Sequence, residues 1–200
     1  MASETILSII TGFALSSACG FRVFVPMLVL SIASYSGPPL PLPPGLEWLT
    51  PLIGHLKLSA GFEWIGSPVA LKAFGVATIC EIAAYYIPWL DHLLDHIAAP
   101  LAVIAGILVM ASSITGMSPF LRWVLAIIAG GGAAGIIQAL TIGARGGSTA
   151  ASLGATNWIV STAELLGSAI LSILAVLLPA LVLILLGIFF LVAAGRKKPA

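Results

Sequence analysis

Residues 158–194 read WIVSTAELLGSAILSILAVLLPALVLILLGIFFLVAA and carry one charged side chain, Glu164. A helix needs roughly 20 apolar residues to cross the hydrocarbon core of a bilayer, so the stretch is long enough for about two crossings. Pro179 lies inside it, and a proline in a helix interior removes a backbone hydrogen bond and breaks the helix. The stretch therefore predicts two membrane-spanning helices separated near Pro179.

The composition of the whole chain agrees with lipid as its solvent. Of 200 residues, 60% are hydrophobic and 8% are charged, and the net charge is +1. Soluble domains average roughly 45–50% apolar and about 25% charged residues, so this chain could not cover a water-exposed surface. The weak charge also excludes a nucleic-acid partner, which requires a dense basic face. We expect a single integral membrane domain over residues 1–200.

Proline, glycine and charge divide the chain into about six apolar segments. The first is too long for one straight span and contains Gly20, Arg22 and Pro26, so we expect it to be broken or tilted. The predicted fold is an all-α polytopic transmembrane bundle with segments at 6–34, 68–89, 97–114, 121–142 and, as two, 158–194. Residues 143–156 are rich in glycine and serine, so we expect a break of irregular backbone there.

The topology follows from the segments between the spans. Residues 35–67 are rich in proline and predict an extramembrane loop on one membrane face. The tail Arg196, Lys197, Lys198 follows the last span directly, and the positive-inside rule places it in the cytoplasm. With an even number of spans, the N-terminus is cytoplasmic too, and the loop lies outside.

The two halves of the chain, 1–117 and 118–200, repeat an order of residue types. Each half has an arginine near a predicted break, a Gly-Ser pair, a helix that carries a glutamate, and a proline near the start of the next helix. Three spans per copy would invert the second copy, an architecture shared by many transporters. Chance ordering of common membrane residues is the alternative. The paired positions are Arg22 with Arg145, Gly66-Ser67 with Gly147-Ser148, Glu81 with Glu164, and Pro100 with Pro179.

Four charged residues fall at membrane depth: Arg22, Glu81, Arg145 and Glu164. Each costs roughly 2.5–3.5 kcal/mol on insertion scales, so each needs a partner or a purpose. One interpretation makes the glutamates proton or cation carriers with the arginines as partners. The other makes the four residues structural ion pairs that fix helix packing.

A second group of candidate binding residues lies around Arg145. The run Gly146, Gly147, Ser148 could present backbone N–H groups to a small anion at the start of a helix. We include Ser148 and the neighbouring Asn157 among the candidate substrate-binding or ion-binding residues. A flexible turn with a snorkelling arginine is the alternative interpretation.

The segment after the second span carries four potential metal ligands. Asp91 and Asp95, like His92 and His96, are four residues apart, which places each pair on one face of a helix. Carboxylate and imidazole groups bind zinc, manganese or iron. The same residues also fit an acidic helix start with histidines at headgroup level. No other cofactor is indicated.

Small residues recur at helical spacing in two segments. Such stripes let helices approach closely, within the chain or in a homo-oligomer of two or more copies, and pore lining is the alternative. They consist of Gly12, Ser16 and Gly20 in the first segment and Gly131 and Gly135 in the fourth.

Several of these positions resemble a family of small bacterial and plastid membrane proteins, domain of unknown function 4126. Its pattern is similar to Gly20-Phe21-Arg22 with Pro26 and Leu28, to Glu81–Pro88 with Asp91, Asp95, Pro100 and Gly106, and to Asn157, Ser161 and Glu164. The chain departs from the pattern at Ala84-Tyr85-Tyr86, where the family has Ala-Asp-Lys, and at Leu165, where an acid is common. The resemblance implies a bacterial cytoplasmic or photosynthetic membrane and brings no activity.

Taken together, the buried charges favour a small transporter or channel for a small solute or ion, coupled through Glu81 and Glu164. The alternative is a structural or assembly protein that binds partner helices. A third hypothesis is a metal-dependent membrane enzyme that uses residues 91–96. The sequence has no nucleophile elbow, P-loop, dinucleotide fingerprint or His-Glu-x-x-His motif, so we expect a protein that is not an enzyme.

Overall fold

The computed structural model describes residues 2–40, 42, 45, 50, 53–152 and 156–195. Within these ranges it describes all side chains except those of residues 2, 88–96, 151, 180, 183, 186, 190, 191 and 193–195. This part of the chain is helical and contains no strand. The predicted all-α fold is confirmed.

The first apolar segment is broken, which is one of the two predicted alternatives. Helix α1 spans Ala2–Cys19, helix α2 spans Phe24–Ala33, and Arg22 lies in the non-helical connection between them. Gly20 allows this connection to approach α6, because a Cβ there would lie 2.5 Å from the Ala134 carbonyl oxygen. Pro26 lies in the first turn of α2. N–H groups in the first turn have no intrahelical acceptor, so a proline there costs the helix no hydrogen bond.

Two further helices complete the first half. Helix α3 spans Pro68–Tyr85 and begins with a cap in which Ser67 Oγ accepts a 3.1 Å hydrogen bond from the Ala70 N–H. Helix α4 spans Pro88–Ser113 and contains Pro100. It begins earlier than the predicted third span, so residues 91–96 lie in its first turns.

The second half begins with a continuous helical segment. Helix α5 spans Pro119–Leu125, a π-helical turn spans Ala126–Gly131, and helix α6 spans Gly132–Ser152. Helix α7 spans Asn157–Leu177 and helix α8 spans Pro179–Gly195. The predicted division of residues 158–194 at Pro179 is therefore confirmed.

The predicted break at residues 143–156 is wrong over most of its length, because α6 continues to Ser152. Glycine costs about 1 kcal/mol relative to alanine in a helix, but a helix also satisfies every backbone polar group where water is absent. Ser152 Oγ donates a further 2.7 Å bond to the Ser148 carbonyl. Arg145 therefore lies inside a helix, which removes one of the correspondences in the proposed repeat.

Three helical segments of the described chain are long and apolar enough to cross a membrane: Pro68–Tyr85, Pro119–Ala150 and Asn157–Leu177. Shorter apolar helices span Ser3–Cys19, Phe24–Ala33 and Ile97–Ser113. The chain is thus a helical membrane protein. The six-span count and the inverted repeat stay predictions.

Helix α1 is the centre of the bundle and contacts α4, α6, α7 and α8. The small-residue stripes pack inside the chain. Ser16 Oγ donates a 2.7 Å bond to the Gly106 carbonyl, and a Cβ at Gly12 would lie 3.1 Å from Ser113 Cβ. Gly131 and Gly135 face Ile107 and Val103 of α4.

The described residues of the loop over 35–67 form hydrogen bonds with the ends of two helices. The Leu56 N–H donates to the Ala33 carbonyl in the last turn of α2 at 2.8 Å. Ser59 donates from its N–H to the Ser112 carbonyl and from its Oγ to the Ala111 carbonyl in the last turn of α4. The loop therefore satisfies carbonyl groups that a helix end leaves without intrahelical partners.

Candidate functional site

The four membrane-depth charges lie close together. All four residues are buried, with exposed fractions of 1% for Arg22, 8% for Glu81, 4% for Arg145 and 5% for Glu164. They come from the α1–α2 connection, α3, α6 and α7, so the bundle brings residues from both halves of the chain to one place. Two arginines and two glutamates give this cluster no net formal charge.

Arg145 and Glu164 form the most complete pair of the cluster. Arg145 Nε donates to Glu164 Oε1 at 2.9 Å, and Arg145 Nη2 donates to Glu164 Oε2. A planar guanidinium matches a carboxylate at two points in this way, which adds geometric specificity to the charge attraction. The pair ties α6 to α7.

Arg22, in the first half of the chain, lies close to the same carboxylate of Glu164. Its Nη2 donates to the Ser161 carbonyl at 2.8 Å and lies 3.6 Å from Glu164 Oε2. The Nε and Nη1 atoms of Arg22 are buried and have no hydrogen-bond partner among the described residues. Arg22 therefore has buried N–H groups, at Nε and Nη1, that no described residue accepts.

Glu81 binds backbone rather than a guanidinium. Its Oε1 accepts a 2.7 Å hydrogen bond from the Val23 N–H, and its Oε2 accepts a 3.0 Å bond from the Phe24 N–H. These N–H groups belong to the start of α2, where the helix dipole favours negative charge. The α3 glutamate therefore caps the second half of the broken first segment.

Tyr85 is the member of the cluster that the sequence analysis missed as a site residue. The guanidinium carbons of Arg22 and Arg145 lie 3.6 Å and 4.3 Å from the centre of its ring. An aromatic face attracts a cation, and more so where water is excluded. Its position could have indicated a role in the site, since Tyr85 occupies the place of an aspartate in the family pattern that the sequence resembles.

Each glutamate lines a separate cavity. The first cleft has a volume of about 350 Å³ and contains Glu81 and Tyr85, and the second has about 470 Å³ and contains Glu164. A third cavity of about 240 Å³ shares Phe21, Ile137 and Phe189 with the second cleft. Phe21 lines the second cleft while Val23 and Phe24 line the first, so the α1–α2 connection contributes to both.

The predicted anion site at Ser148 does not form as expected, because residues 146–149 lie within α6 rather than at a helix start. Ser148 Oγ lies 2.7 Å from Thr156 Oγ1 across the α6–α7 connection. Asn157 begins α7, and its Nδ2 donates to Thr149 Oγ1 at 3.0 Å. These polar groups pair with one another near the ends of two helices.

The backbone at Asp91, His92, Asp95 and His96 is helical, so the assumed spacing along one helix is correct. Their side chains lie outside the described residues, and the metal site stays a prediction. Elsewhere in the described part of the chain, no three His, Cys, Asp or Glu side chains are grouped to hold a metal ion.

Comparison with known proteins gives one family. The family described as "Domain of unknown function (DUF4126)" matches residues 9–54 and 51–196. No curated protein and no solved structure matches the chain.

Proposed function

Because the chain belongs to the DUF4126 family, whose description names no activity, we propose a function from the geometry of its buried charges. The protein is a small membrane transporter or channel for a small solute or ion. Glu81 and Glu164 are its coupling or ion-binding carboxylates, and Arg22 and Arg145 are their partners. In this proposal the chain carries out no enzymatic reaction and requires no cofactor.

One observation supports the proposal most strongly: two buried carboxylates line two cavities, and the connection between α1 and α2 reaches both. Irregular backbone at membrane depth is tolerated where protein buries it or where it lines a cavity. Discontinuous helices of this kind form the binding sites of many transporters. A charged site that borders two cavities could pass a bound ion from one cavity to the other.

The proposal includes the finer architecture. It has six membrane segments in two groups of three: the α1–α2 pair with α3 and α4, and the α5–α6 segment with α7 and α8. In support, each group has its buried glutamate on its middle helix. An inverted repeat with both termini cytoplasmic, a homo-oligomeric state and a bacterial cytoplasmic or photosynthetic membrane complete the proposal.

Flux in proteoliposomes tests this function. Purified protein is reconstituted, and the uptake of a panel of small ions and solutes is followed with an internal pH-sensitive dye under imposed pH steps. We expect flux above that of empty liposomes, and a loss of at least one order of magnitude in Glu81→Gln and Glu164→Gln. The matched control is Glu63→Gln, since Glu63 is exposed in the loop. Equal flux in wild type and both buried variants would refute the coupling role.

A structural or assembly role is the second candidate, and the two-point pair between Arg145 and Glu164 favours it. A buried ion pair can specify one arrangement of helices. This role predicts a stoichiometric partner protein that co-purifies in mild detergent, together with no flux for any member of the panel.

A further inference from the structure

We propose that the N-terminus of α2 is an anion site that Glu81 occupies in the resting protein, and that a small monocarboxylate takes its place when Glu81 is protonated. The inference rests on the proposed transport function and names its substrate class. It assigns the first cleft to the substrate and Glu81 to the coupled proton.

The first step of the argument is the geometry at Glu81. Both of its oxygens accept backbone N–H bonds, at 2.7 Å from Val23 and 3.0 Å from Phe24. An ionised carboxylate offers two equivalent strong acceptor oxygens, whereas protonation turns one of them into a donor and a weaker acceptor, so two accepted N–H bonds favour the ionised form. α2 is ten residues long, so its dipole adds to the attraction for a carboxylate. The site is therefore already shaped for a carboxylate group.

The second step is the unused hydrogen-bonding capacity of Arg22. This residue is 1% exposed, adjoins Val23 in sequence and interacts electrostatically with Glu81, yet its Nε and Nη1 have no hydrogen-bond partner among the described residues. The carbonyl of Ser161 accepts a hydrogen bond from Arg22 Nη2. The Oγ of Ser161 is also buried and has no hydrogen-bond partner among the described residues. Buried donors without acceptors are rare in native proteins, and a bound anion is one of the partners that would satisfy them. Arg22 does not itself line the first cleft, but the adjacent Val23 does, and an anion at the start of α2 would supply the acceptors.

The third step is the cleft beside the site. Its volume of about 350 Å³ accommodates a ligand of several carbon atoms, and Ala77, Ala84, Ala98 and Leu101 line it with apolar surface. A halide ion has no apolar part that could pack against the apolar lining of the cleft. A short alkyl chain attached to a carboxylate would fill it, so the chemistry favours an apolar monocarboxylate.

The exchange conserves charge. One proton adds to a Glu81 oxygen, the neutral side chain releases at least one N–H group, and the incoming carboxylate accepts that bond beside Arg22. One negative charge enters with one positive charge, so the cluster keeps its net charge and no bond other than that to the proton is made or broken. Release of the carboxylate and the proton restores the resting site.

Other groups facing Glu81 bear on its protonation. These are Arg22 in the α1–α2 connection, Glu164 on α7 and Cys19 on α1, with Tyr85 one turn along α3. α2 carries no titratable side chain, and neither do residues 97–113 of α4. Glu81 is thus the carboxyl group nearest to the α2 N–H groups among the described residues.

Calorimetric titration of the purified protein in detergent with butyrate and acetate tests the proposal. Binding rather than flux is measured because butyric acid crosses bilayers unaided. Titration in buffers of different ionisation enthalpy reports proton uptake. We expect about one proton taken up per butyrate, tighter binding of butyrate than of acetate, and affinity that falls about tenfold per pH unit on the alkaline side. Glu81→Gln should bind butyrate without proton uptake, while Glu63→Gln should match wild type.

A measurement on the wild type does not depend on the folding of a variant. Infrared difference spectra with carboxyl-labelled ¹³C-butyrate should show a protonated carboxyl band at the unlabelled frequency when butyrate binds. No butyrate binding at acidic pH, or binding without this band and without proton uptake, would overturn the proposal. If flux of another solute persists while butyrate fails to bind, this inference fails and the transport function stands. If flux is also absent, both fail.

Discussion

Arg145 on α6 and Glu164 on α7 form a two-point ion pair, and Glu164 also lies 3.6 Å from Arg22 Nη2. One carboxylate thus serves two arginines, whereas Glu81 binds the backbone of α2. The cluster is therefore asymmetric: Glu164 binds side chains from two other segments, and Glu81 binds the start of one helix. This difference separates the expected effects of substitutions.

Glu164→Gln should destabilise the protein more than Arg145→Met. The first variant leaves two buried guanidinium groups without their carboxylate, and the second leaves Glu164 beside Arg22. Removing one partner of a buried ion pair costs about 3–5 kcal/mol, so both variants should lower the thermal unfolding midpoint in detergent. Circular dichroism measures this midpoint, and the reverse order of the two variants would contradict the shared role of Glu164.

Glu81→Leu should loosen the start of α2 more than Glu81→Gln does. Leucine leaves the Val23 and Phe24 N–H groups buried without acceptors, while glutamine keeps one acceptor oxygen. A buried unsatisfied group costs about 1–3 kcal/mol. Hydrogen exchange of peptides that cover residues 21–30 should therefore rise in the order wild type, Gln, Leu. Unchanged exchange in the leucine variant would show that Glu81 does not cap α2.

Tyr85→Phe should be more stable than Tyr85→Leu. Phenylalanine keeps the ring face beside Arg22 and Arg145, and leucine removes it. Desolvated cation–π contacts are worth about 2 kcal/mol or more, which is the expected difference between the two variants. Chemical denaturation in mixed micelles provides the measurement. Equal stability of the two variants would argue that the ring contributes only apolar volume.

The two cysteines should differ in reactivity. Cys80 is exposed and lines the first cleft, whereas Cys19 is fully buried. A membrane-permeant maleimide should therefore add to Cys80 and spare Cys19, as read by mass spectrometry of the intact protein. Cys80→Ala should abolish the adduct. Modification of Cys19 in the folded protein would contradict the described packing of α1.

Two glycine substitutions should change stability in opposite directions. A Cβ at Gly130 would lie 2.6 Å from Met110 Cβ and 2.7 Å from the Gly106 carbonyl, so Gly130→Ala should overpack the contact with α4 and cost about 1–3 kcal/mol. A Cβ at Gly143 in α6 meets nothing within 4 Å, so Gly143→Ala should stabilise by up to about 1 kcal/mol. Unfolding midpoints measure both, and a stabilising Gly130→Ala would refute the close α4 contact.

The sequence sufficed where one residue decides a local structure. Pro179 predicted the start of α8. The length of the first segment, with Gly20, Arg22 and Pro26 inside it, predicted either a break or a tilt where the structure has the α1–α2 connection. Membrane depth alone identified the four charged residues. Local glycine content misled at residues 143–152, since the demand for backbone hydrogen bonds in lipid outweighs weak helix propensity.

The sequence alone could not predict which charged residues of the cluster pair with each other. Arg22 and Ser161 are 139 residues apart, and the packing of α1 and α2 against α7 joins them. The role of Glu81 was hidden for another reason, because its partners are backbone groups that any residue type would provide. Tyr85 was overlooked because an aromatic residue in a membrane helix is usually read as lipid contact.

The central position of α1 has a consequence for how the chain is made. The ribosome delivers α1 and Arg22 before α7, which carries the carbonyl and the carboxylate that contact Arg22. At about 5–20 residues per second, the 139 residues from Val23 to Ser161 take on the order of ten seconds to synthesise. During that interval the guanidinium must be accommodated by the insertion machinery or by lipid headgroups. The core is therefore complete only after the last third of the chain has been synthesised. A protein that terminates before α7 should lack the partners of Arg22, and we expect membrane quality control to degrade it.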